Sequence, residues 1–496
     1  MNDFQFQAQN YDFCSYPDAL HWIGGQWIAP TTGRNLDVIN PRHGKAISKV
    51  YLGNTLDVDA AVQNAKSALS DWQDSPIRER AAVFYKLQAL MHRDLEELTW
   101  LVSHENGKTY AESKAEVLKA IECVEFGCSL PNLAQGPQLN VSRGVRCEEI
   151  YEPLGIVAGV TPFNFPLMVP LWMLPQALVG GNAFILKPSE QVPLSVSKLA
   201  LLLQEAGLPD GIFNVVQGDK EVVEALCDHQ DIKALGFVGS THVAKIVYGR
   251  AAQSGKKALC LGGAKNHLIV LPDADLELTA QNVTASFTGC AGQRCMAASV
   301  MVAVGDVSRI VSEIAKQSQN IQVGSDLGAI VSADAVKRIR GYIDQAEKLG
   351  ATVLLDGRNQ EPTQDGYWLG PTILDNVTPD MPASCEEIFG PVLSIMRVDS
   401  IEAAIDLENS SEYGNASSVY TQSGALAQKV IKSVSAGMCG INIGVPVPRE
   451  PFGFGGWNDS KFGHGNITGY DGFRFWTRPR KITSKWALQS DATWMS

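Results

Sequence analysis

Residues 286–298 read Ser-Phe-Thr-Gly-Cys-Ala-Gly-Gln-Arg-Cys-Met-Ala-Ala and hold the residue pairing best suited to covalent chemistry. Cys295 follows a permanent cation, Arg294, at the end of an apolar helical run, and Gly289 and Gly292 allow close backbone approach. A cysteine attacks as its thiolate, and a neighbouring cation or backbone N–H favours that form over the thiol. Cys295 is therefore the candidate nucleophile. Taken alone, the segment also suits a small buried cysteine packed among alanines. Cys290, five residues upstream, lacks the adjacent arginine.

The elements that must position Cys295 differ along the chain. Over 55–128, Val58, Ala61, Val62, Ala65, Leu69 and Trp72, then Phe84, Leu87, Met91, Leu95, Leu98 and Val102, recur at helical spacing, with Gly107 as a stop. From about 153, short apolar strands alternate with helices: 156–160, 183–186, 213–216, 232–238 and 258–261, with a helix over 192–206 closed by Gly207 and Pro209. Such repetition predicts a parallel sheet covered by helices, with ligands at the carboxyl ends of the strands. Three turns fall there: Thr161-Pro162-Phe163-Asn164-Phe165-Pro166, Lys187-Pro188-Ser189-Glu190, and Gly239-Ser240-Thr241 opening a helix. Free N–H groups at a helix start bind phosphate, and three such turns at successive strand ends predict a dinucleotide site. A second strand–helix run over about 263–440 predicts a second α/β domain, with Cys295 inside it.

Composition bounds the function. A chain of 496 residues with 45 % hydrophobic and 19 % charged residues is expected to form two or three globular domains. A net charge of −12 argues against nucleic-acid and anionic-membrane partners. The amino terminus lacks the basic start and apolar core of a signal peptide, and no run of eighteen apolar residues occurs, so a cytoplasmic location is expected. Ten cysteines without a Cys-x-x-Cys pair, and eight histidines without i, i+4 spacing, predict reduced thiols and no metal.

Five ordered motifs give the chain a resemblance to the aldehyde dehydrogenase superfamily over essentially its whole length: 162–166, 187–190, Phe237-Val238-Gly239-Ser240-Thr241, Gly292-Gln293-Arg294-Cys295 and Glu387-Ile388-Phe389-Gly390-Pro391. The resemblance implies two doubly wound parallel-sheet domains and a small β oligomerisation element. Residues 1–130 and 151–262 would bind NAD, 263–450 would be catalytic, and 131–150 with 451–496 would build a homodimer or homotetramer. Cys295 would attack an aldehyde carbonyl, with the Asn164 amide and the Cys295 N–H holding the oxyanion. The implied cofactor set is Thr161, Phe163, Lys187, Glu190, Gly239, Ser240, Glu387 and Phe389. Lys187 and Glu190 would hold the adenine ribose, Ser240 a phosphate, and Glu387 with Phe389 the nicotinamide ribose. A carboxylate at Glu190 would repel a 2′-phosphate, which favours NAD over NADP.

Departures from the common pattern narrow the expectation. Where most members carry a glutamate that activates the hydrolytic water, this chain has Cys260 before Leu261-Gly262-Gly263. A thiol is a poor base, and loss of a positioned base costs roughly 10²–10⁴-fold. The methylmalonate-semialdehyde dehydrogenases also lack that glutamate and pass the acyl group to coenzyme A. The chain resembles them in Leu171-Trp172-Met173, Gly263-Ala264-Lys265-Asn266-His267, Gly292–Ala297 and Tyr413-Gly414-Asn415. That subgroup grips its substrate carboxylate with two arginines. Arg294 matches one, and Lys119 stands at the other, keeping the charge without the bidentate fork. Arg449, in the Val445–Pro451 segment, adds a further candidate cation. The implied activity is NAD-dependent oxidation of a small anionic aldehyde such as malonate or methylmalonate semialdehyde, with acyl transfer to coenzyme A. The alternative is a hydrolytic dehydrogenase of a similar aldehyde, such as sulfoacetaldehyde or succinate semialdehyde.

Overall fold

Val58, Ala61, Val62, Ala65 and Trp72 lie buried on one face of the helix Thr55–Asp74 in the computed structural model. It describes residues 10–360, 362 and 365–486, so the outermost parts of the expected 1–130 and 451–496 segments, 1–9 and 487–496, lie outside the described residues. The helix starts where Asn54 and Asp57 satisfy each other's free N–H groups in a capping box. Three more helices follow, Ile77–Arg93, Leu95–Asn106 and Tyr110–Leu133. Gly107 ends the third in the left-handed conformation at φ 88°, and Thr109 with Glu112 caps the fourth.

The helix Thr55–Asp74 packs directly on an eight-stranded sheet, and the other three pack on it through the helices Met168–Val179 and Leu194–Glu205. Its centre is five parallel strands in the order Phe213–Val215, Ala183–Lys187, Ile156–Val160, Ile232–Val238, Lys257–Leu261. The chain begins in the middle of this order and winds outward both ways. A crevice therefore opens at the carboxyl ends of Ile156–Val160 and Ile232–Val238. All three turns singled out above follow strands of this central group.

The sheet has edges that the strand–helix alternation did not reveal. The antiparallel pair His21–Ile23 and Gln26–Ile28 extends one side, and Lys461–Phe462 pairs with Lys257–Leu261 on the other. Trp476 is fully buried and meets Phe184 edge-on at 5.5 Å. Much of 451–476 thus belongs to the main body.

A second, seven-stranded sheet has the order Thr352–Leu355, Thr372–Asp375, Val392–Val398, Ala298–Val304, Asn266–Val270, Ala416–Tyr420, Met438–Ile441, parallel except for the first strand. The link from Leu261 to Asn266 is only four residues long. So short a link sets the carboxyl end of the first sheet against the amino end of the second. The strand-end rule therefore locates the site on the first sheet and misses it on the second, where Asn266, Cys295 and Asn415 all stand at or before strand starts.

A third sheet joins Gln138–Ser142, Val145–Pro153 and Thr477–Lys485, with Leu139, Val141 and Ile150 exposed. Among the described residues no helix is long and apolar enough to cross a membrane, and no group of three His, Cys, Asp or Glu is arranged to hold a metal.

Candidate active site

Cys295 lies beyond the helix Leu276–Thr288, past a turn in which Cys290 (φ 52°), Ala291 (φ 52°) and Gly292 (φ 68°) are all left-handed. Each non-glycine residue there costs on the order of 1 kcal/mol, so neighbours must hold the turn. Glu112 Oε1 accepts the Cys290 N–H at 2.5 Å, and Gln293 Oε1 accepts the Val331 N–H at 2.9 Å. A Cβ on Gly292 would sit 2.0 Å from the Gly390 carbonyl. Only glycine lets the Cys295 loop lie this close to the 387–391 motif.

The Cys295 carbonyl is clamped by two amides, Asn266 Nδ2 at 2.8 Å and Asn415 Nδ2 at 3.0 Å. Asn266 Oδ1 in turn accepts the Ala416 N–H at 3.0 Å. Both asparagines sit in segments that carried the sequence resemblance, yet nothing in their spacing disclosed this task.

The electrostatics differ from the expectation. Burial pushes the Cys295 thiol up to about 12, and the Glu387 carboxylate adds to the rise. The N–H groups of Cys295 and Met296 and the charge of Arg294 pull the other way without prevailing. Arg294 has its own partners, with Nη2 donating to the carbonyls of Ala285 at 2.7 Å and Ser286 at 2.8 Å. The guanidinium lies over Gly289, where a Cβ would be 2.5 Å from Nη2. Adjacency in sequence thus does not make Arg294 the activator of Cys295, and in the protein alone the thiol form prevails at neutral pH.

Asn164 is buried, and its Nδ2 donates to the Gln293 carbonyl at 3.1 Å, two residues from Cys295. A second N–H remains for another acceptor. The turn around it is fixed from below. Lys108 Nζ donates to the Asn164 carbonyl at 2.5 Å and lies 3.9 Å from the centre of the Phe165 ring. Glu116 pairs with Lys108 and accepts the N–H groups of Leu167 at 3.0 Å and Met168 at 3.2 Å. Neither residue has a sequence signal for this task, because the burial that makes the pair matter is decided by packing.

The other turns carry donors and acceptors suited to a dinucleotide. Lys187 Nζ and Glu190 Oε2 meet at 2.7 Å, and the Thr161 N–H donates to the Lys187 carbonyl at 3.1 Å, tying the first two turns together. Ser240 is the exposed first cap of the helix Thr241–Gln253 and spends no side-chain hydrogen bond on it. Preceding it, Gly239 lies where a Cβ would come 2.5 Å from the Phe237 ring. Glu387 Oε1 accepts the Ala264 N–H at 2.9 Å, which ties the 387–391 motif to the short link between the two sheets. Burial raises the Glu387 carboxyl. Phe389, at φ 53°, meets Phe163 edge-on at 5.8 Å.

Comparison with known proteins agrees with this geometry. The sequence profile of the aldehyde dehydrogenase family matches residues 27–482. The chain belongs to the aldehyde dehydrogenase family. It is 44 % identical to a malonate-semialdehyde dehydrogenase of Halalkalibacterium halodurans over 474 residues, 94 % of this chain and 98 % of that protein. Among solved structures, it superposes with a TM-score of 0.94 at 41 % identity on a Sinorhizobium meliloti protein provisionally called methylmalonate-semialdehyde dehydrogenase and solved with NAD, covering 96 % of this chain and 99 % of that one. The methylmalonate-semialdehyde dehydrogenase of Oceanimonas doudoroffii superposes with a TM-score of 0.93 at 40 % identity, covering 95 % and 99 %.

Within this aldehyde dehydrogenase fold the departures acquire places. Cys260 is fully buried in the strand Lys257–Leu261, flanked in register by Phe237 and Phe462, and burial raises its thiol far above the ordinary range. A thiol held neutral in an apolar core has no capacity to serve as a base. Lys119 Nζ lies 2.9 Å from Glu450 Oε2 and 3.0 Å from Glu122 Oε2. Arg449 is largely exposed, with Nη1 at 3.7 Å from Glu122 Oε1. Both cations therefore face carboxylates of the protein itself.

Proposed function

We propose that this aldehyde dehydrogenase oxidises a small anionic aldehyde of the malonate or methylmalonate semialdehyde type with NAD, and passes the acyl group to coenzyme A. One observation carries the reading. The Asn164 amide and the Cys295 loop converge through the Gln293 carbonyl beside the cofactor turns, while the position usually held by a water-activating base is the buried Cys260.

Cys295 Sγ, its proton given up to solvent, attacks the aldehyde carbon, and the oxygen, taking the carbonyl electron pair, moves toward the free Asn164 N–H and the Cys295 N–H. Each such donor supplies roughly 3 kcal/mol in a dry, preorganised pocket. The clamped Cys295 carbonyl keeps Sγ and its N–H in fixed relation, and Lys108 with Glu116 does the same for Asn164. Lys187, Glu190, Ser240, Glu387 and Phe389 suit NAD, which supplies the hydride acceptor. The product is a thioester on Cys295. A thiol such as coenzyme A brings its own nucleophile, so the absence of a base at position 260 slows water far more than it slows acyl transfer. In this reading the first sheet and its helices bind the cofactor and the second sheet carries the catalytic cysteine.

The exposed Leu139, Val141 and Ile150 of the three-stranded sheet suit pairing with a second copy of the chain, as a dimer or tetramer. All ten cysteines are unpaired, which suits a reducing cytoplasm.

The test is steady-state NADH formation with malonate semialdehyde, methylmalonate semialdehyde and sulfoacetaldehyde, each with and without coenzyme A. Sustained turnover only with the thiol is expected. Equal turnover without it overturns the acyl transfer and leaves a hydrolytic dehydrogenase.

A further inference from the structure

Residues 442–451 run from the helix Leu276–Thr288 to the helix Tyr110–Leu133. At the start of this segment, Asn282 Nδ2 donates to the Asn442 carbonyl at 3.2 Å and Ser286 Oγ to the Gly444 carbonyl at 2.9 Å. These contacts pin it to the helix Leu276–Thr288, whose Ala285 and Ser286 carbonyls also hold Arg294. In its middle, Val445 packs on the same apolar cluster as Cys295 and Phe165. At its end, Glu450 meets Lys119 on the helix Tyr110–Leu133, one turn beyond the Glu116 that supports the Asn164 turn. The segment therefore bridges the helix whose carbonyls hold Arg294 to the helix whose Glu116 supports the Asn164 turn.

The contact with Glu450 is the more protected of the two that Lys119 makes. The Lys119 side chain is 20 % exposed and that of Glu450 11 %, whereas Glu122 is 38 % exposed and shares its charge with Arg449. A pair withdrawn from water is costly to break on one side, because the remaining charge is left buried and alone. Counted together, Lys119 and Arg449 balance Glu122 and Glu450, so this cluster offers an incoming anion no net positive charge.

We propose that Glu450 is a specificity-determining residue, an internal counter-ion that masks Lys119 and that the carboxylate or sulfonate of an anionic aldehyde must displace to reach that ammonium. The inference rests on the anionic-aldehyde reading above and deepens it. Arg294 then provides the standing recognition of the anion, and Lys119 joins only when Glu450 turns away. Aldehydes without an anionic group have nothing to displace Glu450 with, and the loop stays latched to the helix.

The experiment reads binding without turnover. Malonate, a dicarboxylate, is titrated against alkylation of Cys295 by iodoacetamide, with labelling at Cys295 followed by mass spectrometry. Glu450→Gln is expected to lower the half-protecting malonate concentration by about tenfold, the effect of freeing one partly buried cation. The double variant Lys119→Met with Glu450→Gln is expected to lose that gain, and propionamide, which is uncharged, to protect wild type and Glu450→Gln alike. An unchanged malonate response in Glu450→Gln, a gain retained without Lys119, or an equal gain for propionamide each overturns the proposal. Should Glu450→Gln fail to fold, Glu450→Asp shortens the reach and is expected to give a smaller gain in the same direction; no gain overturns it. Semialdehyde turnover, measured separately on wild type, decides the functional reading. An enzyme that turns these substrates over without a Glu450 effect loses the mask and keeps its function.

Discussion

Lys108 Nζ sits 2.5 Å from Glu116 Oε2, and both side chains are almost wholly withdrawn from water. The pair supports two sides of one turn: Lys108 holds the Asn164 carbonyl, and Glu116 holds the N–H groups of Leu167 and Met168. A buried pair of this kind stores little net stability but is costly to break on one side.

Lys108→Met should therefore destabilise the protein by about 3–5 kcal/mol, because it leaves Glu116 buried and uncompensated. Lys108→Met combined with Glu116→Leu should recover much of that loss in chemical denaturation. Turnover should not recover with it, because the Asn164 carbonyl still lacks its donor. A double variant with restored activity would mean that the pair is structural only.

The raised Cys295 thiol makes its reactivity steeply dependent on pH. With the thiol near 12, only roughly one molecule in 10⁴ carries the thiolate at pH 8. Iodoacetamide labelling of Cys295 in the protein alone should then rise about tenfold per pH unit from 7 to 10 with no plateau. A plateau below pH 9 would show that Arg294 or another group activates the thiol after all. Arg294→Met should change the profile little, since its charge lowers the thiol less than burial and Glu387 raise it.

Lys265 offers a stability measurement with a defined sign. Its Nζ is buried without a hydrogen-bond partner, and burial lowers the ammonium to about 8 despite the opposing charge of Glu387, with Cys385 and Glu386 weaker contributors. His267 beside it is pushed down to about 4, by burial first and the Lys265 charge second. A basic group whose folded value lies below its unfolded one binds fewer protons when folded, so its contribution to stability rises with pH across about 8 to 10.5. Lys265→Met removes a charge that is costly below pH 8. The variant should be more stable than wild type at pH 7 by thermal melting, and the difference should shrink toward pH 10. A difference independent of pH would mean that Lys265 is neutral or fully compensated throughout.

Cys260→Ala should leave coenzyme A-dependent turnover within about twofold of wild type, because a buried neutral thiol takes no part in proton transfer. Its cost should appear in stability instead, on the order of 1–2 kcal/mol for the small cavity left between Phe237 and Phe462. A large fall in NADH formation with unchanged melting would return Cys260 to the chemistry.

The sequence by itself determined the parts of this protein that depend on neighbours along the chain. Ile156–Val160 and Ile232–Val238 have the bounds that their apolar runs predicted, and Gly107 ends its helix as expected. Helical stripes, strand runs and turn residues are local signals, since burying one face imposes a period of 3.6 or 2 on the chain itself. The places of the strand-end turns were legible for the same reason. What joins distant segments was not. The two amides on the Cys295 carbonyl come from 29 and 120 residues away, and Asn164 reaches Gln293 across 129. No period marks such pairs. The charge on Cys295 was likewise decided in three dimensions, because Arg294 is adjacent in sequence yet turns its guanidinium toward Ala285 and Ser286, leaving burial and Glu387 to set the state of the thiol. Sequence order says which groups are present; only packing says which of them a charge faces and how much water screens it.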